Sequence, residues 1–203
     1  MPLIENLISE KWLKSSRIIK AFRKIKREDF LPEDLKDSSE LDIALPIGFN
    51  QTISQPQVVA LMLELLDAQE GNNVLDIGSG SGWTSSLLTE LVGENGAVTA
   101  VEIIPELKEL GEKNASRYNF KNVEFILADE SKRYEKKAPF DRILISAVAE
   151  KVQDYWLEQL KEGGNLVFPM DSSIWKYSKI VQGRFKKQEY PGYVFVPLME
   201  KYE

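Results

Sequence analysis

The sequence predicts a doubly wound α/β domain: a mostly parallel, seven-stranded sheet preceded by an N-terminal helical extension. Three observations lead there. From Asn72 onward, short apolar runs alternate with segments of helical period, the rhythm of a parallel sheet covered on both faces. A strand-like run ending at Asp76 passes directly into a glycine-rich turn and a helix. Past residue 170 the alternation gives way to two apolar stretches around a Pro191-Gly192 turn signal, read as an antiparallel pair closing the sheet.

The elements follow in order. Leu3, Ile4, Leu7, Ile8 and Trp12 fall near helical spacing. Ser15 and Ser16 can cap a second helix carrying Ile18, Ile19, Phe22 and Ile25. Pro32 and the polar stretch 33–40 break that pattern, and residues 45–56 (LPIGFNQTISQP) read as irregular. Ser54 can then cap a helix with Pro56 in its first turn, followed by Val58, Val59, Met62, Leu65 and Leu66. Parallel strands are expected at 73–77, 97–102, 123–127, 140–146 and 165–168. Helices are expected at 83–92, 105–118 and 153–160, and the closing pair at 174–183 and 193–198. Residues 1–70 form an extension packed on a core of residues 71–203, the whole making one compact unit.

Composition removes several chemistries. The chain has no Cys and no His, so thiolate nucleophiles, imidazole bases, zinc thiolate sites and His-based metal sites are excluded, and no metal is expected. A formal charge of −6 argues against binding a nucleic-acid backbone. The basic run Arg17, Lys20, Arg23, Lys24, Lys26 and Arg27 reads as a solvated helix face. No apolar run is long enough for a membrane span, and the first residues lack a secretory pattern. A cytoplasmic monomer is the expectation.

The strongest local feature is VLDIGSGSGWTSSLL, residues 74–88. A strand ends at Asp76, and Gly78, Gly80 and Gly82 lead into a helix. Such a turn is common on structural grounds alone. A dinucleotide site uses G-x-G-x-x-G against a pyrophosphate, and the third glycine here comes one place early. The spacing resembles the first motif of Rossmann-like methyltransferases, whose cofactor has no pyrophosphate. In that setting Asp76 suits a cationic methionine amino group. Glu102, at the end of the second strand, can accept hydrogen bonds from ribose hydroxyls. Asp129, after the third strand, is placed to reach an adenine amino group. Ser79, Ile103 and Glu130 border the same nucleoside site.

A second resemblance spans nearly the whole chain. ALPIGFNQTISQPQVVALMLELL before VLDIGSGSGW resembles the protein-L-isoaspartate O-methyltransferase family, as do AFRKIKREDFLP upstream and FDRILISAVAE, LEQLKEGGNLVFP and YVFVPL downstream. The resemblance implies S-adenosylmethionine as methyl donor, S-adenosylhomocysteine as product, and isoaspartyl proteins or peptides as substrate. It implies a carboxylate nucleophile needing no general base, in accord with a chain lacking His and Cys. It also places Ser54 as the active-site hydroxyl, with Thr52 and Ile53 at the substrate entrance. Ala147 and Val148 border the substrate, and Val196 lies in a terminal strand pairing with substrate backbone. Glu130 stands where the family has glycine, and Val148 and Glu150 stand in its Ala-rich loop. An acid near an anionic substrate repels it unless it faces solvent. On the residues alone, a methyltransferase with another substrate and a non-catalytic cofactor-binding module stay open.

Overall fold

The computed structural model describes residues 2–128, 134 and 136–198. The N-terminal part holds α1 (Leu3–Ser9) and α2 (Ser16–Lys24). Two 3-10 turns, Arg27–Phe30 and Glu33–Ser38, follow. The α2 face made of Ile18, Ala21 and Phe22 is buried. Phe22 meets Trp83 edge-on at 5.6 Å, so the extension shares a hydrophobic core with the sheet layer. Ser15 is the N-cap of α2, but its hydroxyl donates to Glu64 Oε2 (2.6 Å) rather than to the helix.

The stretch 45–53, expected to be irregular, is a small antiparallel hairpin: β1 (Leu45–Gly48) and β2 (Gln51–Ile53). Gly48 pairs with Gln51 across Phe49 and Asn50, both with positive φ (53° and 55°). That is the backbone sense of a two-residue hairpin turn. The N-cap of helix α3 (Pro56–Leu66) is Gln55, not Ser54. Its cap is supplied from a distance, because Asp42 Oδ1 accepts from the Gln57 amide at 2.8 Å.

The core follows the expected winding. Strand β3 (Asn73–Ile77) is followed by α4 (Trp83–Val92), and β4 (Ala97–Glu102) by α5 (Pro105–Ser116). Strands β5 (Val123–Leu127) and β6 (Phe140–Ile145) lead to α6 (Asp154–Glu158). Strand β7 (Leu160–Met170) is longer than expected because it continues upstream of Asn165. The sheet order is β5-β4-β3-β6-β7-β8-β9, with β8 (Ser173–Lys179) and β9 (Phe185–Pro191) antiparallel at one edge. The closing pair therefore exists, but its second strand is 185–191 rather than 193–198. The chain reverses at residues 181–183, where Gln182 and Gly183 take positive φ. Residues 192–198 leave the sheet and run to the crevice described next.

Strand order reverses at β3: β4 lies on one side, and β6, reached later in the chain, on the other. A crevice opens past the carboxyl ends of strands at such a switch point.

Candidate active site

That crevice is present and encloses about 1120 Å³, its mouth included. Six stretches of chain wall it: the β1–β2 hairpin with Ser54, the loop from β3 into α4, the end of β4, Ala128 and Tyr134 after β5, the loop after β6, and the terminal segment 196–198. Tyr155 and Trp156 of α6 close one side.

The glycine loop forms the floor. Gly78, Ser79 and Gly80 line the crevice, and the amides of Gly78 and Ser79 donate to the Val101 carbonyl (2.9 and 3.0 Å). Ser79 Oγ is buried and has no hydrogen-bond partner, an unsatisfied polar atom in a loop that lines the crevice. Gly82 does not line the crevice. A Cβ there would lie 2.7 Å from the Gly111 carbonyl oxygen, and its φ is +87°. Its place in the motif serves the close approach of α4 to α5.

Glu102 sits at the end of β4 with 6% of its surface exposed. Its Oε2 accepts from the Gly80 amide (2.8 Å), and Oε1 from the amides of Ile103 (2.8 Å) and Ile104 (3.1 Å). One carboxylate thus ties the floor loop to the β4 end, and Ile103 lines the crevice beside it. Asp76 is fully buried behind the loop. Its Oδ2 accepts from Ser85 Oγ at 2.6 Å, while Oδ1 has no partner. Burial, with Glu102 adding repulsion and the Ser85 hydrogen bond opposing, raises the Asp76 carboxyl from 3.8 to about 7.

Opposite the floor, Thr52, Ile53 and Ser54 line the crevice, and Ile47 reaches over Gly80. Ala147 and Val196 line it too. Val148 lies beside Ala147 and is paired through its backbone: its amide donates to the Val196 carbonyl, and the Leu198 amide donates to the Val148 carbonyl, both at 2.8 Å. These bonds carry the terminal segment to the crevice rim. Glu150 is exposed to solvent. Asp129 and Glu130 lie outside the described residues. Among those described, no cluster of acids could hold a metal ion, and no helix is long and apolar enough to cross a membrane.

A family model for protein-L-isoaspartate (D-aspartate) O-methyltransferases matches residues 1–203. The chain belongs to that family. A protein-L-isoaspartate O-methyltransferase of Methanopyrus kandleri is 40% identical, covering 97% of this chain and 89% of its own. Another, from Ignicoccus hospitalis, is 39% identical over 98% and 96%. A Plasmodium falciparum chain assigned to the same enzymes and crystallised with S-adenosyl-L-homocysteine superposes with a TM-score of 0.87 over 98% of this chain and 97% of that one. At 22% identity that likeness shows the fold.

Several parts of this methyltransferase's crevice were not singled out from sequence. Tyr155 and Trp156 lie on a short helix whose pattern announces only a buried face. Gly111 carried a signal of its own: a glycine inside a helix weakens it by about 1 kcal/mol relative to alanine, so its place in α5 marks a close contact. A Cβ at Gly111 would lie 2.8 Å from the Gly80 carbonyl oxygen, so α5 helps set the floor loop. Arg27, read as part of a solvated face, is buried at 6% exposure. Its guanidinium makes main-chain hydrogen bonds that outweigh the run's surface pattern.

Proposed function

We propose that this protein-L-isoaspartate O-methyltransferase binds S-adenosylmethionine along the floor formed by Ser79, Gly80, Glu102 and Ile103, and the isoaspartyl carboxylate under Ser54. The observation that carries this is one crevice in which the hydroxyl-bearing end of β2 faces a glycine loop tied to Glu102, in a chain with no His or Cys. The residues fit the cofactor: Ser79 Oγ is an orphaned buried hydroxyl on the floor, and Glu102 presents lone pairs beyond the three amides it accepts. Asp76 acts from behind the loop, its unpaired Oδ1 offering negative charge to a cationic amino group.

Bound S-adenosylmethionine supplies an electrophilic methyl: a carboxylate oxygen of the substrate forms the new C–O bond as the S–CH3 bond breaks and its electron pair returns to sulfur. No proton moves. A carboxyl with pKa near ~4 is already ionised at neutral pH, so the protein's work is alignment and exclusion of water. The Ser54 hydroxyl donates to the carboxylate and fixes which oxygen points across the crevice. Thr52 and Ile53 form the entrance, and Ile47, Ile53, Ala147 and Trp156 make its walls apolar. Residues 194–198, fastened to Val148, offer extended backbone to the substrate chain. Glu150, facing solvent, stays clear of the anionic substrate. Asp129 and Glu130 are assigned to the adenine end. The net charge of −6 supports a protein rather than a nucleic-acid substrate.

The test is methyl transfer from labelled S-adenosylmethionine to paired peptides that differ only in an isoaspartyl or aspartyl residue. Base-labile label on the isoaspartyl peptide alone is the expected result. Cofactor binding without such label would refute the substrate assignment.

A further inference from the structure

Arg27 is a buried cation whose hydrogen-bond acceptors are main-chain carbonyls. Nη1 donates to the carbonyls of Ser39 (3.2 Å) and Leu41 (2.9 Å); Nη2 donates to those of Ile43 (2.7 Å) and Ser54 (3.3 Å). The guanidinium carbon lies 5.5 Å from the ring centre of Trp83, the first residue of α4 after the glycine loop. Asp42, whose negative charge opposes the effect of burial on Arg27, holds the first turn of α3 through the Gln57 amide and accepts from Gln55 Nε2 at 3.2 Å. One side chain thus joins three parts: the N-terminal extension that carries it, the chain from Ser39 to Ser54, and the start of α4. Removing a cation from water is costly unless geometry and hydrogen bonds compensate. A planar fork serving four carbonyls and an aromatic face offsets part of that cost in a way an ammonium cannot, while Nε stays buried without a partner. A purely structural plug could be apolar; what the fork adds is a fixed path for the segment ending at Ser54.

We propose that Arg27 is a positioning residue for methyl transfer, setting the β1–β2 hairpin and Ser54 at a fixed height over the glycine loop. The inference rests on the crevice being the transfer site as proposed above. Ile47 of the hairpin also lies over Gly80 of the glycine loop, and it controls how near the two come. Arg27 controls where along the loop the Ser54 end lies. Misplacement of reacting groups by about 1 Å is enough to slow a reaction by ~100-fold, so loosening this tie lowers turnover before it lowers cofactor binding.

The experiment compares the wild type with Arg27→Lys, and with Leu7→Ala in α1 as a destabilised control distant from the crevice. All are assayed at a temperature where each is folded. Arg27→Lys is expected to lower kcat on an isoaspartyl peptide by about 10- to 100-fold, with KM and the S-adenosylhomocysteine Kd within about threefold, while Leu7→Ala keeps wild-type kcat. Hydrogen exchange in Arg27→Lys should speed up across residues 39–54 and stay unchanged in β3 and β4. Unaltered kcat, unaltered exchange at 39–54, or losses of cofactor affinity and turnover in step would each overturn the proposal. Should Arg27→Lys not fold, Asp42→Asn is read by the same exchange and kinetic measurements. A wild type that methylates neither peptide refutes the function proposed above, and exchange at 39–54 still decides the role of Arg27.

Discussion

Replacing Asp76 with Asn should stabilise the ligand-free protein at alkaline pH while weakening its hold on S-adenosylmethionine. The carboxyl is fully buried, bonded on one oxygen to Ser85 and unpaired on the other, and its pKa is raised from 3.8 to about 7. The sign follows from where protons sit. Between about pH 4 and pH 7 the folded state holds a proton the unfolded chain has released, so stability falls as pH rises through that window and levels off above it. Ionised, the group costs the fold about 4 kcal/mol. Asn copies the neutral acid's shape, although its amide nitrogen brings two N–H donors to the unpaired side where the acid has one O–H. The gap between variant and wild type should therefore widen in the variant's favour by about 2–3 kcal/mol from pH 5 to pH 8. Urea unfolding of both proteins at those two pH values measures this. A gap that does not change with pH would refute the claim that the buried carboxyl disfavours its charge. In calorimetry, wild-type cofactor binding should tighten from pH 6 to pH 8 as Asp76 ionises, and the Asn variant should lose that dependence.

Other expectations are more local. Ser54→Ala removes one hydrogen bond to a charged carboxylate, worth about 1.5–3 kcal/mol; kcat should fall roughly 10- to 100-fold with little change in Tm, since Asp42 rather than Ser54 caps α3. Steady-state kinetics beside a thermal melt would show it, and a matched fall in Tm would contradict it. Glu102→Gln loses the charge shared by the Gly80, Ile103 and Ile104 amides. Its S-adenosylhomocysteine affinity, measured by calorimetry, should weaken by about 1.5–3 kcal/mol. Gly111→Ala introduces the better helix former, yet overpacking against the Gly80 carbonyl should destabilise the protein by about 1–3 kcal/mol and lower cofactor affinity. A variant more stable than the wild type in urea would disprove that contact.

The parallel half of the sheet was legible because each strand is a short apolar run ended by its own turn or helix start. The bounds of β3, β4 and β5 and of α4 came directly from that punctuation. The antiparallel edge was not, for an identifiable reason. Strand β9, FKKQEYP, is exposed at Lys186, Lys187, Glu189 and Pro191 and half-buried elsewhere, so it lacks an apolar run, whereas 193–198 has one and lies outside the sheet. Pro191-Gly192 has the composition of a hairpin turn, but the chain turns at Gln182-Gly183. The β1–β2 hairpin was hidden by Pro46 and Gly48, which read as breakers in a segment of only two short strands. In the site, Ser79, Glu102 and Ser54 stood in motifs that announce a crevice. Arg27 and Asp42 did not, because their partners are backbone groups and through-space charge from elsewhere in the chain. No spacing rule connects residue 27 to residue 54.

The contact between Gly82, Gly80 and Gly111 also bears on transplantation. The floor's curvature is borrowed from a helix one strand further along, so the residues VLDIGSGSGW placed on a foreign sheet would bring the letters without the shape. A successful graft would have to carry the following strand and a helix notched at the matching turn. The unit able to migrate between proteins is the strand–helix–strand–helix block, and the familiar glycine signature is its label.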